Sequence, residues 1–414
     1  SPLPCPAVAR SMSRFAPAPS PQCGPGGRGG EATAADGSND HGFDDDDDDD
    51  DAADDDDDDD RGGGARNVDA DAGCVDVPGA VDSALGFLSR EGALSEEEGA
   101  ALNYFMDVVK GLACRPARLL PEEVRRGAAP LTIRSRAELA MWVGHYDEAW
   151  SLWRRFLAGC RDRLGRAAAG GGAPLRALPR RSPNVVVLVE MREHPDLSIV
   201  LRQIFSQLEA DTWTLLVVCG SGNEAHAREA VDQLPGAHVR RLEHADLAPE
   251  AYAALRRSEV LLEMVEEVGG EVVLFCECDS VLVRPGAERF LDFDLVGAPW
   301  SWAVLKGSPV CVGNGGLCLR RVSFMRAALR HLGTTPEGRV GAAHHPRNED
   351  MSFAQAAYEL GARVPDVNTA ASFSVETLFH PAPVGCHKPW QYLLPSDLQR
   401  VLGLGSAEEF VPVD

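Results

Sequence analysis

The chain has 414 residues, with 40 basic and 64 acidic side chains and a formal net charge of −24. Residues 1–83 carry 22 Asp and Glu against 5 Arg, a net of −17, so the remainder holds only −7. This distribution excludes a basic nucleic-acid surface, and no apolar run approaches the roughly 18 residues of a membrane span. The length allows two or three domains. Eleven cysteines form neither a C-x-x-C pair nor a regular framework, which reads as reduced, partly buried thiols rather than a secreted disulfide scaffold.

Residues 1–83 are rich in Pro, Gly, Ala and Ser and contain two Asp runs, Asp44 to Asp51 and Asp54 to Asp60. Such runs repel themselves and stay hydrated, so the segment reads as a disordered acidic tail. Its bland role is solvation; binding Ca²⁺ or a basic partner is the other. The first 30 residues hold no acid and several Arg and Ser, a faint resemblance to an organelle transit peptide that leaves the compartment open. Residues 84–168 read as helical, from apolar positions such as Leu88, Leu102, Phe105, Val108 and Val109. Ala137 to Leu157, centred on Gly144, resembles one helical hairpin of a tetratricopeptide repeat without a second copy, and is expected to pack on the next domain. A linker at 169–183 follows, its core Gly170 to Pro174.

From Asn184 the pattern changes. Asn184 to Glu190 is a continuous apolar run ending in a charge, as in a strand buried on both faces. Then come a helix (Leu197 to Ala210), a strand (Trp213 to Cys219), a helix (Glu224 to Gln233) and a short strand (His238 to Leu242). A long helix from Pro249 to Val268 leads into the strand Glu271 to Cys276. This alternation predicts a parallel α/β sheet over 184–400, with a short tail at 401–414. Ligands in such sheets bind beyond the carboxyl ends of the strands.

The residues placed there have the right chemistry. Glu277 and Asp279 follow the most apolar strand and share a face by strand alternation, so they can hold a hard divalent cation; ending a strand is their plain alternative. Glu190 and Arg192 repeat the spacing after the first strand. They suit a ribose or base and a phosphate respectively, or simply pair with each other. Asn314, Gly315 and Gly316 follow Gly297-Ala298-Pro299-Trp300 and allow close approach of a ligand, or make a turn. Glu349 and Asp350 open a helix behind Asn348, as dipole-complementing acids or as a general base. His387, Lys388 and Trp390 bring together an imidazole, an ammonium and an indole. His344 and His345 sit in a Gly/Ala/Pro-rich loop and are expected to face solvent.

The order of these motifs resembles a domain-of-unknown-function family of GT-A-like glycosyltransferases, over roughly half the chain. The resemblance implies a GT-A fold, with a nucleotide-binding α/β half followed by an acceptor-binding half. Asp279 falls where such enzymes carry their metal-binding D-x-D motif, here degenerate because Glu277 is the first acid. Gly385-Cys386-His387-Lys388-Pro389-Trp390 is similar to the C-terminal signature of glycogenin-like transferases, which makes His387 a ligand of Mn²⁺ or Mg²⁺ and Lys388 a diphosphate contact. Glu349-Asp350 looks like the x-E-D element of inverting enzymes, with Asp350 the base. The two analogies imply opposite anomeric outcomes.

The resemblance therefore implies transfer from a nucleotide sugar, UDP-linked by preference, to a carbohydrate or glycoconjugate acceptor. Trp300, Asn314, Gly315 and Gly316 would line the sugar or acceptor pocket. A catalytically silent nucleotide-sugar or carbohydrate binding module of the same fold is the alternative, and an interaction role for tail and hairpin is accessory. Neither G-x-G-x-x-G after the first strand nor a P-loop motif occurs, which counts against a dehydrogenase or an NTPase.

Overall fold

The structure, a computed structural model, describes residues 75–91, 93–127, 131–169, 177–334 and 348–404. The acidic runs, the glycine-rich linker core, the His344-His345 loop and residues 405–414 lie outside the described residues. No described helix is long and apolar enough to cross a membrane.

Four helices come first. Helix α1 (Val77–Glu91) turns Ala80, Ala84 and Phe87 inward. It begins six residues before the tail boundary expected at 83, because this apolar stripe finds a partner in α2 (Glu96–Ala113). Ser95 and Glu98 close a capping box on α2, and three glutamates in its first turn suit the helix dipole. After the short α3 (Glu122–Arg125) comes α4 (Arg136–Ala169), a single helix of 34 residues. The expected hairpin turn near Gly144 is absent. A glycine there costs about 1 kcal/mol relative to Ala, and packing on both sides of it outweighs that cost. Leu139 and Trp142 seat in the α1–α2 core, while Leu152, Trp153, Phe156 and Leu157 seat under the main sheet. One rod thus belongs to two cores.

The main sheet has the order β3-β2-β1-β4-β7-β6. Strands β1 (Asn184–Glu190), β2 (Trp213–Cys219), β3 (His238–Arg241) and β4 (Val272–Cys276) run parallel. A second sheet, β5-β9-β8, joins β5 (Ser280–Leu282) to β8 (Ser374–Val375) and β9 (Gly385–His387). In the main sheet, β6 (Leu295–Gly297) lies at the edge, and β7 (Leu317–Arg321) pairs antiparallel with both β4 and β6. The fold is therefore mixed α/β rather than purely parallel.

Helices α5 (Leu197–Phe205) and α6 (Glu224–Ala230) join α4 on one face of this sheet. The expected long helix at 249–268 is two helices, α7 (Pro249–Arg256) and α8 (Glu259–Glu267). Ser258 breaks it, its hydroxyl accepting from the Leu261 N–H as an N-cap. After α9 (Ser301–Leu305), the helices α10 (Val322–Thr334) and α11 (Glu349–Glu359) cover the other face with α8. Finally α12 (Val367–Phe373) and α13 (Pro395–Leu402) flank β8 and β9, and α13 runs past the expected boundary at 400.

Trp153 connects the helices to the sheet through Trp390, their rings 4.8 Å apart. Trp153→Ala should cost about 3–5 kcal/mol, as for a buried aromatic truncated in a packed core. Urea unfolding followed by tryptophan fluorescence measures the loss.

Candidate active site

Strand β4 ends at Cys276, and a tight turn carries Glu277 to Asp279. Ser280 holds that turn from both sides: its hydroxyl accepts from the Glu277 N–H (2.9 Å) and donates to the Glu277 carbonyl (2.8 Å). The second sheet then sets the site. Ser280 pairs with His387 across the antiparallel β5–β9 ladder, and the Lys388 N–H donates to the Asp279 carbonyl at 3.0 Å. Residues more than a hundred positions apart thus become neighbours. Lys388 has φ 46°, a left-handed conformation costly for a lysine. The turn places its ammonium 3.4 Å from Asp279 Oδ2 and 3.6 Å from Glu277 Oε2.

Among the described residues, Glu277, Asp279 and His387 form a group whose potential ligand atoms lie within 4.8 Å of one another. His387 Nε2 is 3.4 Å from Asp279 Oδ1 and 3.6 Å from Glu277 Oε2. Its Nδ1 donates to Glu376 Oε1 at 2.9 Å. A carboxylate only accepts, so the neutral ring carries its hydrogen on Nδ1 and points the Nε2 lone pair at the two acids. The other oxygen of Glu376 accepts from Asn314 Nδ2 (2.8 Å), and Asn314 Oδ1 accepts from the Gly316 N–H (3.0 Å). Asn314 is therefore buried scaffolding that ties the glycine loop to the imidazole. Glu376 directly follows β8, and nothing in the sequence around it signals that it reaches His387.

Burial opposes ionisation of Glu277 and Asp279, but Lys388 and His387 outweigh it and hold both carboxyls below their usual range. For His387, burial and Lys388 oppose protonation. The Asp279 and Glu277 carboxylates, 3.4 and 3.6 Å from Nε2, and the hydrogen bond to Glu376 outweigh both and raise its pKa, favouring a second proton on Nε2. The group thus favours positive charge. His387 Nε2 and Asp279 Oδ1 are buried with no hydrogen-bond partner. Two carboxylates, one imidazole and such orphaned atoms fit a divalent cation of the Mn²⁺ or Mg²⁺ kind.

Asp350 lies across the glycine loop. Its Oδ2 faces the Gly315 N–H at 3.4 Å and its Oδ1 accepts from the Met351 N–H at 2.8 Å. Burial first, then the charge of Glu349, push its pKa up to about 6. Glu349 itself is spoken for: Oε1 lies 2.8 Å from Arg256 Nε and Oε2 3.0 Å from Arg320 Nη2. It anchors the start of α11 and is not placed as a base. Arg256, which the sequence reading did not single out, also donates to Glu277 Oε1 (3.0 Å) and to the Gly315 carbonyl (2.7 Å).

Trp300, expected in the sugar or acceptor pocket, and Glu190, expected at a ribose or base or paired with Arg192, are both buried. Trp300 is only 6 % exposed, packed in the sheet core where a sugar cannot stack on it, whereas Trp302 beside it is 37 % exposed. Glu190 is buried and grips Arg192 in a forked pair at 2.8 and 2.9 Å, so Glu190 is engaged while half the Arg192 side chain stays exposed.

Residues 243–387 match a family model described as "Protein of unknown function (DUF5672)". That match spans Glu277, Asp279, the glycine loop, Asp350 and His387. None of the curated proteins matches the sequence. Among solved structures, the chain is similar to the mannosyltransferase PcManGT from Pyrobaculum calidifontis in complex with GDP-Man and Mn²⁺, with 20% identity and a TM-score of 0.31. That similarity covers 54% of this chain and 67% of the other. The apo structure of the bifunctional glycosyltransferase WbbM is similar at 10% identity and a TM-score of 0.34. It covers 53% of this chain, which spans about half (49%) of WbbM.

A Cβ added at Gly316 would fall on the His387 imidazole. Gly316→Ala should therefore displace the imidazole at a cost of about 1–3 kcal/mol, as for other overpacked buried sites, which a lowered thermal midpoint measures.

Proposed function

We propose that residues 184–400, with the helices packed on them, act as a metal-dependent GT-A-type glycosyltransferase. It moves a sugar from a nucleotide-sugar donor, UDP-linked by preference, to a carbohydrate or glycoconjugate hydroxyl. The observation that carries the reading is the convergence of Glu277, Asp279, His387 and Lys388 beyond the end of β4, with Asp350 facing them across Gly315 and Gly316. Glu277, Asp279 and His387 would hold Mn²⁺ or Mg²⁺, and the bound cation supplies neutralisation of the charge that develops on the leaving diphosphate. Lys388 places a further positive charge beside the same carboxylates, where the diphosphate must come. The exposed side of Arg192, at the end of the adjacent strand β1, offers a second anion contact.

Asp350 is the base. A carboxyl titrating near 6 is largely ionised at neutral pH yet basic enough to draw the proton from a sugar hydroxyl. Glu349, Arg256 and Arg320 hold the start of α11 so that Asp350 stays turned toward the loop.

The test is nucleotide release from a panel of UDP- and GDP-sugars by the whole chain, with Mn²⁺ or with EDTA. Turnover of one donor, lost with EDTA and lost at least 100-fold in Asp279→Ala and Asp350→Ala, is expected. Donor binding without turnover would leave only the silent module, and no binding of any donor would sink the reading.

The rate should fall tenfold per pH unit below about pH 6, as Asp350 gains its proton. The same shift works on stability with a defined sign. The folded carboxyl binds its proton more tightly than the unfolded one, so its ionised form costs stability above pH 6. Asp350→Asn should then be inactive yet more stable at pH 8 by about 2 kcal/mol, allowing for partial exposure, with the gain vanishing toward pH 4. Thermal melts at the two pH values measure it.

A further inference from the structure

Arg256 closes α7 and is 3 % exposed. Its guanidinium lies 4.7 Å from the centre of the Phe275 ring and reaches three acceptors in different parts of the chain. Nη1 donates to Glu277 Oε1 at 3.0 Å, Nη2 donates to the Gly315 carbonyl at 2.7 Å, and Nε lies 2.8 Å from Glu349 Oε1. Neutralising Glu349 does not require all this, because Arg320 already meets the other oxygen of that carboxylate. Tyr252, one turn earlier on α7, sets its hydroxyl 3.4 Å from the same Glu277 oxygen.

We infer that Arg256 is a positioning residue that couples the metal-binding carboxylate Glu277 to the loop and helix start that carry Asp350; this rests on the metal site proposed above. By occupying Oε1, Arg256 fixes the Glu277 carboxylate so that Oε2 turns toward His387 and Lys388. By holding the Gly315 carbonyl, it fixes the residue whose N–H faces Asp350. One planar group thus sets the geometry on both sides of the glycine loop. The fork is essential to that role: an ammonium carries the same charge but cannot hold two donors at fixed positions in one plane while a third edge lies against Glu349.

The experiment uses the whole chain and Mn²⁺ alone as probe, followed by Mn²⁺ electron paramagnetic resonance and calorimetry. The variants are Arg256→Lys, the charge-balanced pair Arg256→Gln with Glu349→Gln, and His387→Ala as a control on the site. Arg256→Lys should keep the near-ultraviolet circular dichroism of the parent and weaken Mn²⁺ binding about ten- to a hundredfold, the usual cost of removing a group that orients a ligand. The pair should show the same loss, and it carries the test should the lysine variant not fold. Parent-like Mn²⁺ affinity in either folded variant would overturn the coupling while leaving the site intact. No Mn²⁺ binding by the parent, or undiminished binding in His387→Ala, would overturn the metal reading and this inference with it.

Discussion

The pairing of β5 with β9 is the constraint on which the site depends. It sets His387 opposite Ser280, one residue beyond Asp279, and it ends in the Lys388 N–H donated to the Asp279 carbonyl. Without this short ladder the imidazole and ammonium of the C-terminal segment have no reason to meet the acids that follow β4. The ladder is only three residues long, so its own hydrogen bonds are a modest stabilisation. What holds it is the apolar packing of Val281, Leu282 and Cys386 beneath it and the closeness that Gly385 permits. The unusual backbone at Lys388 is the local consequence: the chain must leave the strand sharply while its side chain stays at the site.

Around that ladder the buried charges are arranged as alternating neighbours. Glu349 lies between Arg256 and Arg320, Glu277 between Arg256 and Lys388, and His387 between Glu376 and Asp279. Desolvated charges of this kind contribute little net stability, and removing one partner leaves the other exposed to the full penalty. Their arrangement is better understood as precision than as strength. Asp350 stands apart. Among the described residues it forms no ion pair and accepts from two backbone N–H groups, and burial with the charge of Glu349 raises its affinity for a proton.

Part of this was legible in the sequence. The parallel strands β1, β2 and β4 are largely apolar runs whose limits follow from composition, whereas β3 is not; Asp279, His387 and Lys388 stand out as an acid, an imidazole and an ammonium next to strand ends, though the acids could as well merely end a strand. The rest was not legible because it depends on tertiary partners. Gly144 reads locally as a turn, yet two separate cores pull the helix straight through it. Ser258 is only one polar residue among the charged Arg256, Arg257 and Glu259 until its hydroxyl is seen capping α8. Trp300 invites a stacking role that burial withdraws. Arg256 carries no spacing signal, since Glu277, Gly315 and Glu349 lie 21 or more positions away, and nothing near Glu376 says that it holds the imidazole of His387.

The helical region at 84–168 has no repeat of its own to stabilise, and its contacts say what it is for. Helix α2 passes so close to the residue after Glu376 that a Cβ at Gly111 would lie 2.5 Å from the Thr377 carbonyl. The Tyr104 hydroxyl donates to the Leu393 carbonyl at 2.7 Å, and Arg115 pairs with Asp397 in the interior at 2.7 Å. Trp150 and Trp153 of α4 enclose Trp390, two residues beyond Lys388. All these contacts fall on the segment from Glu376 to α13, which supplies the imidazole, its carboxylate partner and the ammonium. Glu277 and Asp279 follow strand β4 of the main sheet; the C-terminal residues that face them lean on α2 and α4. A boundary drawn at residue 184 therefore separates the site from the helices that hold half of it in place.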